Sequence, residues 1–232
     1  MIRVEGLVHR YDETAAIDGV DLTFPDGEYV VLAGPNGSGK TTLVRHLNAL
    51  LDPDEGRVLV NGTETTDDPV AARTAVGMTF QDPRDGFVAA TVEADVAFGP
   101  ENLGLAHAEI DRRVSSALDA VNMGGRGDDR LESLSGGEQM RVAVAGALAM
   151  EPDHLILDEP FAGLDWPARR DVLDRLRALA REGTAILVVT HDLRDHVDCA
   201  DRVVVLADGS VAVDAPPERA RDRLSAFDVR PP

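Results

Sequence analysis

Residues 29–42 read YVVLAGPNGSGKTT, an apolar run that meets a glycine-rich turn and then a Lys-Thr-Thr triplet. The run Tyr29–Ala33 predicts a buried strand, and a helix is expected from Gly39 to about Leu51, closed by Asp52 and Pro53. Between them, GPNGSGKTT at 34–42 matches G-x-x-x-x-G-K-[ST] in the strand-then-helix setting that gives this pattern its meaning. Glycines let the backbone curl so that several N–H groups converge, and the helix N-terminus adds positive potential, a cradle for a phosphate chain. Gly34, Pro35, Asn36, Gly37, Ser38, Gly39, Lys40, Thr41 and Thr42 are the expected nucleotide loop, with Lys40 reaching the β- and γ-phosphates and the Thr41 hydroxyl on Mg²⁺.

Working outward, the opening third reads as strands, through Ile2, Val4 and Leu7, then Ile17 to Phe24, then RVLVNG at 57–62 and VGMTF at 76–80. From Gln81 to Leu134 the pattern changes to short helical segments broken by Gly and Pro, one capped by Thr91 and a longer one over Ala106–Val121. Alternation then resumes as helix 136–150, strand 154–158, helix 167–182, strand 184–190, helix 192–198 and strand 202–207. In the helix from Pro167, Val172, Leu173, Leu176, Leu179 and Ala180 form one stripe. HLIL and AILVVT are apolar throughout, as parallel strands covered on both faces require. The expectation is a single α/β domain whose core takes residues 1–81 and about 135–232, with a helical insertion at about 82–134.

Two further motifs carry chemistry. HLILDEP at 154–160 is an apolar strand ending in two acids, at the strand end where α/β sheets hold ligands. Asp158 can hold Mg²⁺ through water, and Glu159 is the candidate general base for an attacking water. LSGGEQMR at 134–141 sets Ser135 at an expected helix N-cap, followed by Gly136 and Gly137 with exposed N–H groups, a second small anion site.

With this last motif the chain resembles the ATP-binding cassette (ABC) ATPases along essentially its whole length. The resemblance implies the P-loop NTPase fold of an ABC nucleotide-binding domain, with an N-terminal antiparallel β-subdomain and a helical signature subdomain. It implies a dimer, homo- or heteromeric, in which Ser135, Gly136, Gly137 and Glu138 of one subunit close over the ATP held by the other's loop. Tyr11 matches the aromatic that stacks on adenine and Ala16 a small residue near the nucleotide. Gln81 matches the glutamine that contacts Mg²⁺ or the lytic water. Asp165 in AGLD matches a loop at the dimer interface, and His191 the histidine that bonds the γ-phosphate and fixes Glu159. Lys40, Gln81, Glu159 and His191 are thereby the implied catalytic set, and Thr41, Gln81 and Asp158 the implied metal set. Glu138 departs from the glutamine common in the family, and a carboxylate there would either oppose closure over ATP or point to solvent.

QDPRDGFVAATVEADVAFGPENLGL at 81–105 is similar to the ATPases of energy-coupling-factor importers, and AGALAMEP (145–152) and DEPFAGLD (158–165) agree. That resemblance implies a transmembrane coupling protein and a membrane-embedded substrate binder, with cobalt, nickel, biotin or another vitamin as cargo. In the segment itself Asp82, Asp85, Glu93 and Asp95 flank apolar Phe87, Val88 and Val92, a mixed surface suited to docking. The alternatives are a conventional ABC importer or exporter ATPase, or a soluble clamp ATPase of DNA or ribosome maintenance.

Composition bounds the rest. The chain has 232 residues and a formal charge of −19, against roughly 2–8 in magnitude for typical small domains, which argues against nucleic-acid binding. The acidic excess reads either as adaptation to a salty cytoplasm, where concentrated salt screens the repulsion, or as docking onto a basic partner, and the spread of the acids along the whole chain favours the first. Of 23 basic residues, Lys40 is the one lysine. The single cysteine, Cys199, has no partner for a disulfide. The start lacks a signal-peptide pattern and no apolar stretch approaches the roughly 20 residues that cross a bilayer. The expected location is the cytoplasmic face of the membrane, as a soluble peripheral subunit.

Overall fold

The computed structural model describes every residue except Ala162, Asp195, Val197, Asp198, Asp228 and 230–232. β1 (Ile2–Tyr11), β2 (Thr14–Phe24), β4 (Glu55–Val60) and β5 (Thr63–Glu64) form an antiparallel sheet in the order β2-β1-β4-β5. β3 (Tyr29–Ala33), β6 (Val76–Thr79), β7 (His154–Asp158), β8 (Ala185–Val189), β9 (Arg202–Ala207) and β10 (Ser210–Ala215) form the second, in the order β10-β9-β3-β8-β7-β6. All its pairs are parallel except β9 with β10.

The apolar strands of the second sheet are explained by what covers them. Along β3, Tyr29, Val31 and Ala33 enter one core while Val30 and Leu32 enter another. The same alternation splits Leu155 and Leu157 from Ile156, and Val203 and Val205 from Val204. One core lies under the antiparallel sheet with α1 (Lys40–Leu47). The other packs against α3 (Val92–Asn102), α4 (His107–Ala120), α5 (Gly136–Ala149), α6 (Trp166–Glu182) and α7 (Pro217–Leu224). A strand with two buried faces has no polar side to show, so period-2 alternation is erased in its composition.

The helices between β6 and β7 enter and leave at one place. Thr91 and Arg130 form a β-bridge, Val92 N–H donates to Asp129 O at 3.0 Å, and Leu131 N–H donates to Ala90 O at 3.1 Å. These bonds also correct one expectation: Thr91 stands at the N-cap of α3, yet its hydroxyl makes no capping bond. The first-turn amides of Val92 and Glu93 are satisfied instead by carbonyls of Asp129 and Gly127. Val92, expected on a docking surface, is fully buried, and the Asp95 carboxylate is engaged by the N–H groups of Val88 and Ala89 at 2.8 and 3.0 Å.

Other boundaries shift for local reasons. α1 stops at Leu47, before the expected Leu51, because Ala49 turns to φ 54° and Leu50 N–H bonds back to Arg45 O at 2.8 Å. β2 begins at Thr14, directly after the turn at Asp12 and Glu13 that joins it to β1. β5, α2 (Pro69–Ala75), β10 and α7 were not anticipated; α2 is a seven-residue helix burying Ala72 alone, too little to leave a periodic signal. The helix expected over 192–198 falls where Asp195, Val197 and Asp198 lie outside the described residues.

Candidate active site

The glycine loop is held by close backbone approaches. A Cβ on Gly34, at φ 143°, would sit 2.1 Å from Leu206 O, and one on Gly39, at φ 99°, would sit 2.4 Å from Ala16 O. The loop therefore presses on β9 and β2, and any side chain at either glycine would push it off the sheet. Ala16 thus lies beside the start of α1 through its carbonyl. Lys40 folds back over the loop and donates to Gly34 O and Pro35 O, both at 2.8 Å. Burial lowers its pKa, opposed by the charges of Glu159 and Asp158. Those carbonyl bonds hold the ammonium in the mouth of the loop.

At the C-terminal end of β7, Asp158 is 3% exposed and Oδ2 accepts the Thr41 hydroxyl at 3.1 Å. Burial raises its pKa, against the lowering effect of the Thr41 bond, with the Glu159 charge adding to the rise. Next to it, Glu159 is a non-glycine residue at φ 49°, a strained backbone of the kind that clusters at functional sites. The strain is held by neighbours. Glu159 N–H donates to Val189 O at 2.9 Å, Oε2 accepts from the Thr190 hydroxyl at 3.2 Å, and Oε1 accepts from His191 N–H at 3.1 Å. His191 Nδ1 also lies 2.7 Å from Oε1. The carboxylate is fixed in place while His191 remains more than half exposed, with its other ring nitrogen free to meet a ligand.

The signature segment starts α5. Ser135 is its N-cap, in a reciprocal capping box: Glu138 N–H points at Ser135 Oγ at 3.4 Å, and Glu138 Oε2 accepts Ser135 N–H at 2.8 Å and the Ser135 hydroxyl at 2.7 Å. Arg126 pairs with the same carboxylate. Together Arg126 and Ser135 hold Glu138 ionised, with its pKa lowered to about 2. Glu138 therefore does not point away into solvent, as one expectation had it; it is turned back onto Ser135. Gly137 packs so closely on the loop carrying Asp165 that a Cβ would come within 2.8 Å of Gly163 O.

An open cleft joins these parts, lined by Thr41, Gln81, Asp158, Ser135 and Gly163, with Arg45 also on its wall. Gln81 is exposed just beyond β6. Tyr11, 48% exposed, stands further off on β1, its ring edge-on to His9 at 4.7 Å, and His9 in turn meets His46 at 4.7 Å. Sequence reasoning missed Arg45, whose charge acts on Asp158, Thr190, which holds Glu159, and Arg126. Thr190 was legible as the polar end of AILVVT, next to His191; the other two arginines carried no local signal.

A family model described as ABC transporter matches residues 17–162, from β2 through the acidic end of β7. The chain belongs to the ABC transporter family. It is an ATPase of that family, and several of its relatives are named for cobalt import or as energy-coupling factor transporter proteins. An ABC transporter ATP-binding protein of Halobacterium salinarum is 65% identical over all of both chains, which supports the salt-adapted reading of the acidic surface. The cobalt import ATP-binding protein CbiO of Syntrophus aciditrophicus is 48% identical over 94% of this cassette and 79% of its own length. The energy-coupling factor transporter ATP-binding protein EcfA1 of Symbiobacterium thermophilum is 50% identical over 91% and 76%. Among solved structures, cbiO1 of Clostridium perfringens, described as part of the ABC transporter complex cbiONQ, superposes with a TM-score of 0.81 at 33% identity, covering 97% of this cassette and 96% of that chain. A bacterial ABC transporter cassette solved as a dimer, MJ0796, gives 0.86 at 28% identity over 93% and 98%. Among the described residues of the cassette no helix is long and apolar enough to cross a membrane.

Proposed function

We propose that this ATPase powers an importer of the energy-coupling-factor type, carrying cobalt, nickel, biotin or another vitamin, by ATP-driven pairing of two cassettes. The observation that carries the catalytic half is the held Glu159 carboxylate, bonded by Thr190 and His191 beside the Lys40 loop. The importer half is supported by relatives named for cobalt import and energy-coupling factors.

In this reading Lys40 leaves the Gly34 and Pro35 carbonyls for phosphate oxygens of ATP, and Tyr11 stacks on the adenine. Thr41 and Asp158 suit Mg²⁺, because a hydroxyl and a buried carboxylate one hydrogen bond apart are the hard oxygen donors that this cation takes. The desolvation of Asp158 also favours a cation beside it. Gln81, on the wall of the same cleft, completes the set. When bound, Mg²⁺ would neutralise charge on the transferred phosphoryl group. Glu159 orients the lytic water and accepts its proton, His191 fixes Glu159 and bonds the γ-phosphate, and water displaces ADP from the γ-phosphorus. Ser135, Gly136 and Gly137 of the second cassette, homo- or heteromeric, close over the phosphates, with the Asp165 loop at the interface. The cargo falls to a membrane-embedded binder coupled through a transmembrane protein on the cytoplasmic side.

Replacing Glu159 by Gln keeps the shape and removes the proton acceptor. Turnover should fall by about 10²–10⁴-fold, ATP binding should persist, and ATP should drive the variant into a dimer on gel filtration. A variant that still hydrolyses ATP at the parental rate sinks the assignment of the base. Sequencing the membrane proteins that co-purify with the parent tests the importer type separately: a multispan coupling protein with a small membrane-embedded binder is expected, and a conventional permease pair would overturn it.

A further inference from the structure

A second cavity, unconnected with the nucleotide loop, lies where α4 packs across α6 and the start of β7. It is more enclosed than the catalytic cleft and holds about 280 Å³, close to the small end of ligand pockets. One face of α4 contributes Arg113, Ser116, Ala117 and Ala120, spaced to share one helix face; α6 contributes Arg175, Leu179 and Glu182, which do the same. The two helices run in opposite senses, since Asn122 just past α4 bonds Asp171 near the start of α6, while Arg113, midway along α4, bonds Glu151, which lines the same cavity as Glu182 at the end of α6.

The cavity therefore has a charge polarity. At one end Arg113 is consumed by Glu109, Glu151 and the Met150 carbonyl, and Glu182 adds a further carboxylate. At the other end stands Arg175, which makes no ion pair or hydrogen bond among the described residues. Two helical turns, about 10 Å, separate Arg175 from Glu182 along α6, and the wall between them carries Leu179, Leu148, Leu155 and the two alanines, with the hydroxyl-bearing Ser116 and Thr184 beside them. An arginine that lines a cavity without a carboxylate partner, in a chain of net charge −19, offers a forked cationic donor to an anion.

We infer that this cavity binds a small monocarboxylate with an apolar body, its carboxylate on Arg175 and its body along Leu179 and Ala120. Glu182 at the far end excludes a second negative charge on the ligand. Because the occupant would touch both α4 and α6, it joins the helical segment between β6 and β7 to the sheet-bearing part of the cassette.

Hexanoate is the probe, titrated into the intact cassette by calorimetry and followed by methyl NMR. Saturable binding with Kd on the order of 1 mM is expected for a ligand of this size, with the shifted signals at Leu179 and Leu148. Adipate and hexylamine should bind at least tenfold more weakly. Arg175→Gln should weaken hexanoate at least tenfold, and Ala120→Leu, which fills the cavity, should abolish it. ATP binding through the Lys40 loop serves as the folding control in both variants. Absence of saturable hexanoate binding to the parent, or equal affinity in Arg175→Gln, overturns the inference, as does equal affinity for hexylamine.

Discussion

At the residue scale, the site turns on side chains whose partners decide what they can do. Lys40 is the only lysine among 23 basic residues, and a compact ammonium on a flexible stem can swing from the Gly34 and Pro35 carbonyls to phosphate oxygens where a planar guanidinium cannot. Glu138 poses the opposite question, because it occupies both donors of Ser135, the N–H and the hydroxyl, that an arriving phosphate would use. Glu138→Gln removes a negative charge at that spot and weakens the capping box. The variant should lose roughly 0.5–1 kcal/mol of stability and, in a Glu159→Gln background, should dimerise at severalfold lower ATP; a higher ATP requirement on gel filtration would show that the carboxylate assists closure. His196 gives a pH prediction. It is 1% exposed, its Nδ1 lies 3.0 Å from the Tyr29 hydroxyl, and its Nε2 has no partner among the described residues. Burial lowers its pKa to about 4, with Arg169 and Arg177 pushing the same way and Asp192 against. An unfolded imidazole protonates near 6.5, so as pH falls from 6.5 to 4 the unfolded state takes up the proton first and stability is lost over that window. His196→Gln should lessen the loss of unfolding free energy across that range by roughly 3 kcal/mol at the acid end, read from denaturant titrations at each pH; parallel curves for parent and variant would refute it.

At the element scale, legibility followed burial. β3, β7 and β9 could be read almost to the residue because strands buried on both faces are apolar without interruption. α2, β5 and α7 could not, being short elements whose few buried side chains, such as Ala72, Ala220 and Leu224, leave no period to count. In the candidate site, the residues of contiguous motifs were legible, whereas Arg45 and Arg126 reach it from helix and loop positions that only the tertiary fold brings near. The segment 82–105 shows the same limit: its acids look available in sequence, yet Asp82 pairs with Arg84, and Asp95 holds the amides of Val88 and Ala89. What remains for a membrane partner is the exposed carboxylates of Asp85 and Glu93 and an apolar patch. Val88 is 58% and Phe98 46% exposed, at the edge of a groove with Phe80, Phe87 and Met150. Exposed side chains of that size next to a groove mark an interaction surface. Val88→Glu with Phe98→Glu should therefore abolish co-purification with the proposed transmembrane partner while the isolated cassette keeps its ATP affinity. Retained co-purification would place the contact elsewhere.

At the scale of the whole molecule, the charge of −19 sets the conditions under which the fold is stable. Spread over a sphere of about 20 Å radius, that charge repels itself by roughly 10 kcal/mol at 0.1 M salt and about half that at 1 M, by Coulomb's law with Debye screening. The unfolded chain is more expanded and is relieved less, so added salt favours the folded state. Ion pairs such as Arg57 with Glu5 and Glu64, or Arg112 with Glu109 and Glu151, lose attraction in the same salt. They are largely exposed and contribute little in any case, so the repulsive term wins. The melting temperature should rise by about 10 °C between 0.1 and 1 M KCl, from a net gain of a few kcal/mol. Screening can be told apart from a general effect of salt on water through the charge itself, because self-repulsion scales with its square. Replacing exposed Asp67, Asp111, Asp208, Asp222 and Glu218 by their amides lowers the charge to −14 and should cut the salt-induced rise to about half. If the amide variant gains as many degrees as the parent, hydration of the apolar core governs the response to salt, and the acidic surface does not.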